Sequence, residues 1–174
     1  MSKEVSGIQG QGAEIIVRDA TIDDRDFVIN AARRLASFEL PPWRTANEIV
    51  TREQKDLQEF FERRVEGSAL LIAGGTGEQR LGYVYLETKQ DYFSGRQCGH
   101  INTIAVSESY EGRGVGSVLM RAAEEWARSK GYSQLTLNVF ARNDHARETY
   151  EHLGFRAETL HYVKRLDESG PSQT

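Results

Sequence analysis

Three glycines at alternate positions, Gly112, Gly114 and Gly116, close the run that begins Ile104, Ala105, Val106 and lead into an amphipathic helix. Glycine admits φ > 0 and removes side chains, so several backbone N–H groups can converge on one anion. The helix that follows adds the positive end of its dipole. The chemistry on offer is the binding of a phosphate or diphosphate, with a purely structural turn as the competing reading. Two nucleotide schemes fail on spacing. A nucleotide loop needs G-x-x-x-x-G-K-[ST], and no such Lys-Ser or Lys-Thr ending stands here; a dinucleotide fingerprint needs G-x-G-x-x-G, whereas this turn reads G-x-G-x-G.

The elements around the turn must position it. Upstream, residues 14–18 have strand composition, and Thr21 followed by Asp23 and Asp24 marks a helix start. That helix is expected to reach about residue 37, with Phe27, Val28, Ala31, Ala32 and Leu35 as its core stripe. Pro41 and Pro42 break it, and the loop 38–44 carries Phe38 and Trp43. A second helix is expected over 46–66, burying Ile49, Leu57, Phe60, Phe61 and Val65, with Gly67 ending it. Strands over 68–73 and 80–86 flank a glycine cluster at 74–77 that reads as a hairpin, since a strand and not a helix follows it. A third strand covers 100–106. Past the turn, Val118, Leu119, Ala122, Ala123 and Trp126 form one helical face, closed by Gly131. A strand at 135–140, a helix capped by Asn143 or Asp144 and closed by Gly154, and a last strand at 157–165 complete the chain. The order β-α-α-β-β-β-α-β-α-β implies a mixed central sheet flanked by helices, an α/β (α+β) fold.

The 174 residues suffice for one domain, expected at 13–166, with polar tails at 1–12 and 167–174 read as flexible. Apolar residues make up 39% and charged residues 28%, and the net charge of −4 gives no electrostatic reason to expect nucleic acid. No run approaches the ~20 apolar residues of a membrane span, and the start of the chain lacks a signal-type apolar core. Cys98 stands alone, which excludes an internal disulfide and a cysteine metal cluster and fits a reducing, cytoplasmic setting.

From 101 to 155 the chain resembles the GNAT superfamily of acyl-CoA N-acyltransferases. The matching residues are the Ile-Ala-Val strand at 104–106, the Gly-x-Gly-Val-Gly turn at 112–116, and Asn143, Ala146, Tyr150, Gly154 and Phe155 in the pattern N-x-x-A-x-x-x-Y-x-x-x-G-F. The resemblance implies the GNAT fold, acetyl-CoA as donor with no metal, direct transfer to a small-molecule or peptide amine, and a possible homodimer. It further implies that backbone groups of Ile104, Ala105 and Val106 pair with the pantetheine arm. The backbone from Gly112 through Arg113, Gly114, Val115 and Gly116 to Ser117 would hold the diphosphate. Asn143 would bond the cofactor arm, and Tyr150 would place its hydroxyl at the thioester sulfur. Two positions depart from the pattern. Glu111 replaces the common Arg or Gln at the head of the turn and is expected to face solvent, with Arg113 offsetting its charge; Glu108 replaces a frequent proline.

Direct transfer needs a neutral amine, yet an alkylamine with a pKa near ~10.4 is protonated at pH 7, so a base or a water chain must remove a proton. Tyr150, with an ordinary pKa of ~10, suits the general acid that protonates the leaving thiolate. Many family members carry an acid on the strand before Ile-Ala-Val, but Ile101, Asn102 and Thr103 supply none. His100 and Glu87 remain as base or water activator, each with an ordinary surface role as its alternative. Acceptor choice is expected to lie in the loop 38–44 and the helix beyond. A non-catalytic acyl-CoA-binding module is the second reading, motivated by Glu111 and the missing strand carboxylate.

Overall fold

The computed structural model describes residues 5–8, 15–75 and 78–166. Among the described residues six strands form one sheet in sequence order: β1 Val5–Ile8, β2 Ile15–Asp19, β3 Ser68–Gly74, β4 Arg80–Gln90, β5 Gln97–Val106 and β6 Leu135–Leu137. Every neighbouring pair is antiparallel except β5 and β6, which run parallel. The sheet is therefore mixed, as expected. The helices are α1 Arg25–Ala31, α2 Ala46–Arg63, α3 Val115–Ser129 and α4 Asp144–His152. Among the described residues no helix is long and apolar enough to cross a membrane.

Alternation along the strands divides the core in two. One layer joins Val84, Leu86 and Ile101 to the α3 stripe of Val118, Leu119, Ala122 and Ala123. The other joins Leu70, Ile72, Tyr83, Tyr85 and Ala105 to Val28 and Ala32 of the first helical segment and Leu57 and Phe60 of α2. The expected stripes of the first and third helices thus occupy opposite faces of the sheet. A buried carboxylate ties the start of the first helical segment to β2 and β4. Asp24, fully buried, accepts from Arg18 Nη1 at 2.7 Å, Arg80 Nε at 2.6 Å and the Thr21 N–H at 2.8 Å.

Several boundaries differ from the sequence reading. The stretch 1–12 was expected as a flexible tail, yet Val5–Ile8 pairs with β2; Val5 and Ile8 are strand formers by type, and β2 offers them a free edge. The rest of that stretch and 167–174 lie outside the described residues. The first helix is divided: α1 ends at Ala31 and the chain tightens to a 3₁₀ helix over Ala32–Ala36. α2 stops at Arg63, not 66, because Arg64 turns to φ +36°, and Val65 becomes 41% exposed. Gly67 does not cap that helix; at φ +74° it lies against Thr88, whose N–H and hydroxyl both bond its carbonyl at 2.9 and 2.8 Å. β4 and β5 extend beyond their expected ends, whereas β6 has only three residues. The last strand, expected at 157–165, does not form. Leu160 and Tyr162 stand 74% and 85% exposed, and β6 offers a three-residue edge that is too short to template a nine-residue partner.

Candidate functional site

β5 carries the site. Its pairing with β4 slips by one residue, Tyr85 facing Thr103 but Leu86 facing Ile101, so Asn102 forms a β-bulge. On its other edge β5 pairs with β6 only through Gly99, His100 and Ile101. From Asn102 to Val106 that edge has no strand beside it among the described residues, which leaves a row of backbone donors and acceptors facing a gap. Ile104, Ala105 and Val106 lie along this gap.

The strand then delivers the chain to the glycine turn. Gly112 and Gly114 adopt φ of +70° and +83°, and a Cβ built on either would meet no heavy atom within 4 Å. Conformation therefore demands glycine there, and the inner surface of the turn stays open. Gly114 is the N-cap of α3, with no side-chain cap. The N–H groups of Val115, Gly116 and Ser117 are consequently left without intrahelical acceptors, aimed out of the positive end of a 15-residue helix. An open nest of this kind fits a diphosphate.

Glu111 is ion-paired with Arg34, which reaches it from the 3₁₀ segment after α1 and also approaches Glu108 at 3.7 Å. Arg113, expected to offset Glu111, instead lies over the Tyr110 ring at 5.5 Å. The discordant carboxylate is thus balanced by a residue 77 positions away.

On α4, Asn143 caps the helix, its Oδ1 accepting the Ala146 N–H at 3.2 Å; its NH₂ group stays available. Tyr150 packs edge-on against Phe155 at 6.0 Å beside the α3 core layer, and burial raises its phenol above the ordinary value. Phe38 meets Phe140 at 5.2 Å and Glu39 pairs with Arg142, which draws the loop 38–44 over the start of α4.

The two proposed bases are cross-strand partners on the α2 side of the sheet. Glu87 lines a cleft of about 420 Å³ together with Arg52, Asp56, Tyr85 and Asn102. It accepts from Asn102 Nδ2 at 2.6 Å and from the Tyr85 hydroxyl at 3.1 Å. His100 is 6% exposed, with Nδ1 2.8 Å from Thr136 Oγ1. The Thr136 hydroxyl donates to the Gly99 carbonyl, so Nδ1 carries the imidazole proton. Burial, then the nearby Lys89, lowers the His100 pKa to about 4 against the pull of Glu87.

Sequence reasoning missed Arg34, the bulge at Asn102, and Glu53. Glu53 had a signal: it stands four residues before Leu57 and seven before Phe60, on the buried stripe of α2.

The Acetyltransferase (GNAT) family model matches residues 32–155. The chain belongs to this family. Among curated relatives, the uncharacterized N-acetyltransferase YycN of Bacillus subtilis is 30% identical over 86 residues, 49% of this chain and 54% of that protein. The thialysine N-epsilon-acetyltransferase of Sus scrofa is 28% identical over 148 residues, covering 83% of this chain and 85% of its own length. With YycN, then, the chain shares about half of the relative's length. A putative acetyl transferase from Pyrococcus furiosus superposes with a TM-score of 0.72 at 25% identity, over 88% of this chain and all of that one. The GNAT fold assigned by these likenesses agrees with the mixed sheet and its flanking helices.

Proposed function

We propose that this GNAT protein is an N-acetyltransferase that moves the acetyl group of acetyl-CoA directly onto a primary amine. The observation that carries the reading is the order of the donor groups along one stretch of chain: the unpaired β5 edge at Ile104, Ala105 and Val106 is followed, after a 3₁₀ turn at Glu108–Tyr110, by the open nest from Gly112 to Ser117. The nest would hold the diphosphate and the strand edge the pantetheine amides, with Asn143 donating from its free NH₂ group. Tyr150, held protonated by its raised pKa, would supply a proton to the departing thiolate.

Of the two expected bases, Glu87 opens onto the cleft and can activate water there, while His100 is buried and does not line that cleft. The second reading, a binding module without catalysis, loses support, because Arg34 balances Glu111 and carboxylates other than a strand acid reach the cleft. The name of the Sus scrofa relative favours an alkylamine acceptor. Thiol release from acetyl-CoA across a panel of amines tests the proposal. Release with at least one primary amine is expected, and binding of acetyl-CoA without release for any of them would favour the module.

A further inference from the structure

Asp56, Glu59 and Glu87 line the cleft between α2 and the sheet, and the protein supplies partners for all three; a fourth carboxylate, Glu53, is outside that lining but near enough to feel the charges of Asp56 and Glu87. Asp56 pairs with Arg52 at 3.1 Å and Glu59 with Arg63 at 2.6 Å. Both oxygens of Glu87 are engaged, by Asn102 and Tyr85, with Lys89 Nζ at 3.8 Å. Glu53 alone among the four has no cation, and its Oε2 is buried with no hydrogen-bond partner.

Two further orphans share its surroundings. Tyr83 is fully buried and Thr103 is 5% exposed; their hydroxyls face each other, and among the described residues neither reaches full hydrogen-bond geometry with a partner. Tyr83 alternates with Tyr85 and Glu87 along β4, so all three face α2, and Thr103 is the cross-strand partner of Tyr85 beside the bulge. The Glu53 charge acts on the Tyr83 phenol, which burial already raises. Native proteins rarely leave buried polar atoms unpaired, and three in one place call for donors from a bound water or ligand. Three unmet acceptors and one unmet negative charge describe the complement of a primary ammonium, which has three N–H donors and one positive charge.

We propose that Glu53, Tyr83 and Thr103 form the subsite for the reacting ammonium of the acceptor, and that Glu53 receives its proton. This rests on the transferase reading above. The Glu53 carboxylate takes one proton from R–NH₃⁺ and becomes neutral. The freed lone pair forms the C–N bond at the thioester carbon and the C–S bond breaks. The thiolate takes a proton from Tyr150, which the second proton shed by nitrogen restores through water; Glu53 returns its proton to water in the cleft, where Glu87 stands. Burial first, then the neighbouring Asp56, raises Glu53 to about 7, with Arg52 and Lys89 opposing and Glu87 reinforcing, so the group exchanges protons near neutral pH. The site favours primary amines, because each N-methyl group removes a donor and leaves an acceptor unmet.

The test uses the full chain with acetyl-CoA and the probes butylamine, N-methylbutylamine and butane-1,4-diamine. Glu53→Gln is expected to lower kcat/KM for butylamine about a hundredfold and to abolish the ionisation near pH 7, with acetyl-CoA affinity unchanged and Tm not lowered. Tyr83→Phe is expected to raise the acceptor KM about tenfold without lowering Tm, since removing an orphaned hydroxyl does not weaken the fold. N-Methylbutylamine should react at least tenfold more slowly than butylamine. The proposal is overturned if Glu53→Gln stays within about twofold of the parent at every pH, or if its loss is matched by falling Tm and acetyl-CoA affinity. If the parent releases no thiol with any amine, the transferase reading fails separately. Calorimetry of butylamine with the CoA-loaded protein then decides the subsite: binding lost in Glu53→Gln supports it, and equal or absent binding refutes it.

Discussion

Arg34 and Glu111 form an ion pair that joins the helical segment after α1 to the head of the glycine turn. It places a positive group between Glu111 and Glu108, whose charges would oppose a bound diphosphate. Exposed pairs add little to stability, so the consequence belongs to binding. Arg34→Ala should weaken acetyl-CoA binding about three- to tenfold at low salt, with the loss shrinking as ionic strength rises. Adding Glu111→Gln should restore most of the affinity. Calorimetric titration of both variants at two salt concentrations checks this, and an Arg34→Ala affinity indifferent to salt would remove the electrostatic account.

Tyr150→Phe separates chemistry from binding. The ring packs on Phe155 through its edge, a contact the phenylalanine retains, so only the hydroxyl is lost. Turnover with a reactive amine should fall about a hundredfold while the Kd for acetyl-CoA stays within twofold. Single-turnover rates together with calorimetry distinguish this from a binding defect, which would move both.

The contrast between these two sites shows what was legible in the sequence. The glycine turn and the α3 stripe are local: a φ requirement at Gly112 and Gly114 and an apolar period at Val118, Leu119, Ala122 and Ala123 read directly from residue types. Arg34 and Glu111 lie 77 positions apart, and no spacing rule links them. The bulge at Asn102 is a register slip between two strands, invisible along either one. Glu53 was readable in principle, as a carboxylate on the stripe of Leu57 and Phe60. Acidic residues crowd the rest of α2, however, and only packing shows which of them turns inward. The expected strand at 157–165 failed for the converse reason: its composition suits a strand, but β6 is too short to partner it.

Asp24 is the strongest anchor of the fold outside the site. Although burial opposes its charge, hydrogen bonds from Arg18, the Thr21 N–H and Arg80 hold its carboxyl well below the usual carboxylate range. Asp24 is buried but both its arginines reach solvent, so Asp24→Asn should cost about 1–3 kcal/mol in denaturant unfolding. A depressed folded pKa contributes stability that is present above the unfolded value of 3.8 and lost as pH falls below it. The parent should therefore lose this contribution only under strong acid, and the variant should show a flatter acid limb.

His100 and Glu53 lean against each other in the pH dependence of stability. The folded imidazole titrates at about 4 and its unfolded counterpart at 6.5. Between those values the unfolded chain binds more protons, so stability falls as pH drops from 6.5 towards 4. Glu53 does the reverse: its folded value of about 7 exceeds the unfolded 4.5, the folded state binds more protons in that window, and stability falls as pH rises from 4.5 to 7. Over the shared range the two slopes oppose, and the parent should show a broad plateau. Each substitution should uncover the other group. His100→Asn should leave a protein whose Tm declines by about 2–4 °C from pH 5 to pH 7.5, and Glu53→Gln one whose Tm rises over the same interval. Scanning calorimetry across that range measures both slopes, and NMR titration of the His100 ring should find it neutral down to about pH 4. Parallel slopes in the two variants would contradict the assignment, because both groups would then be titrating in the same sense.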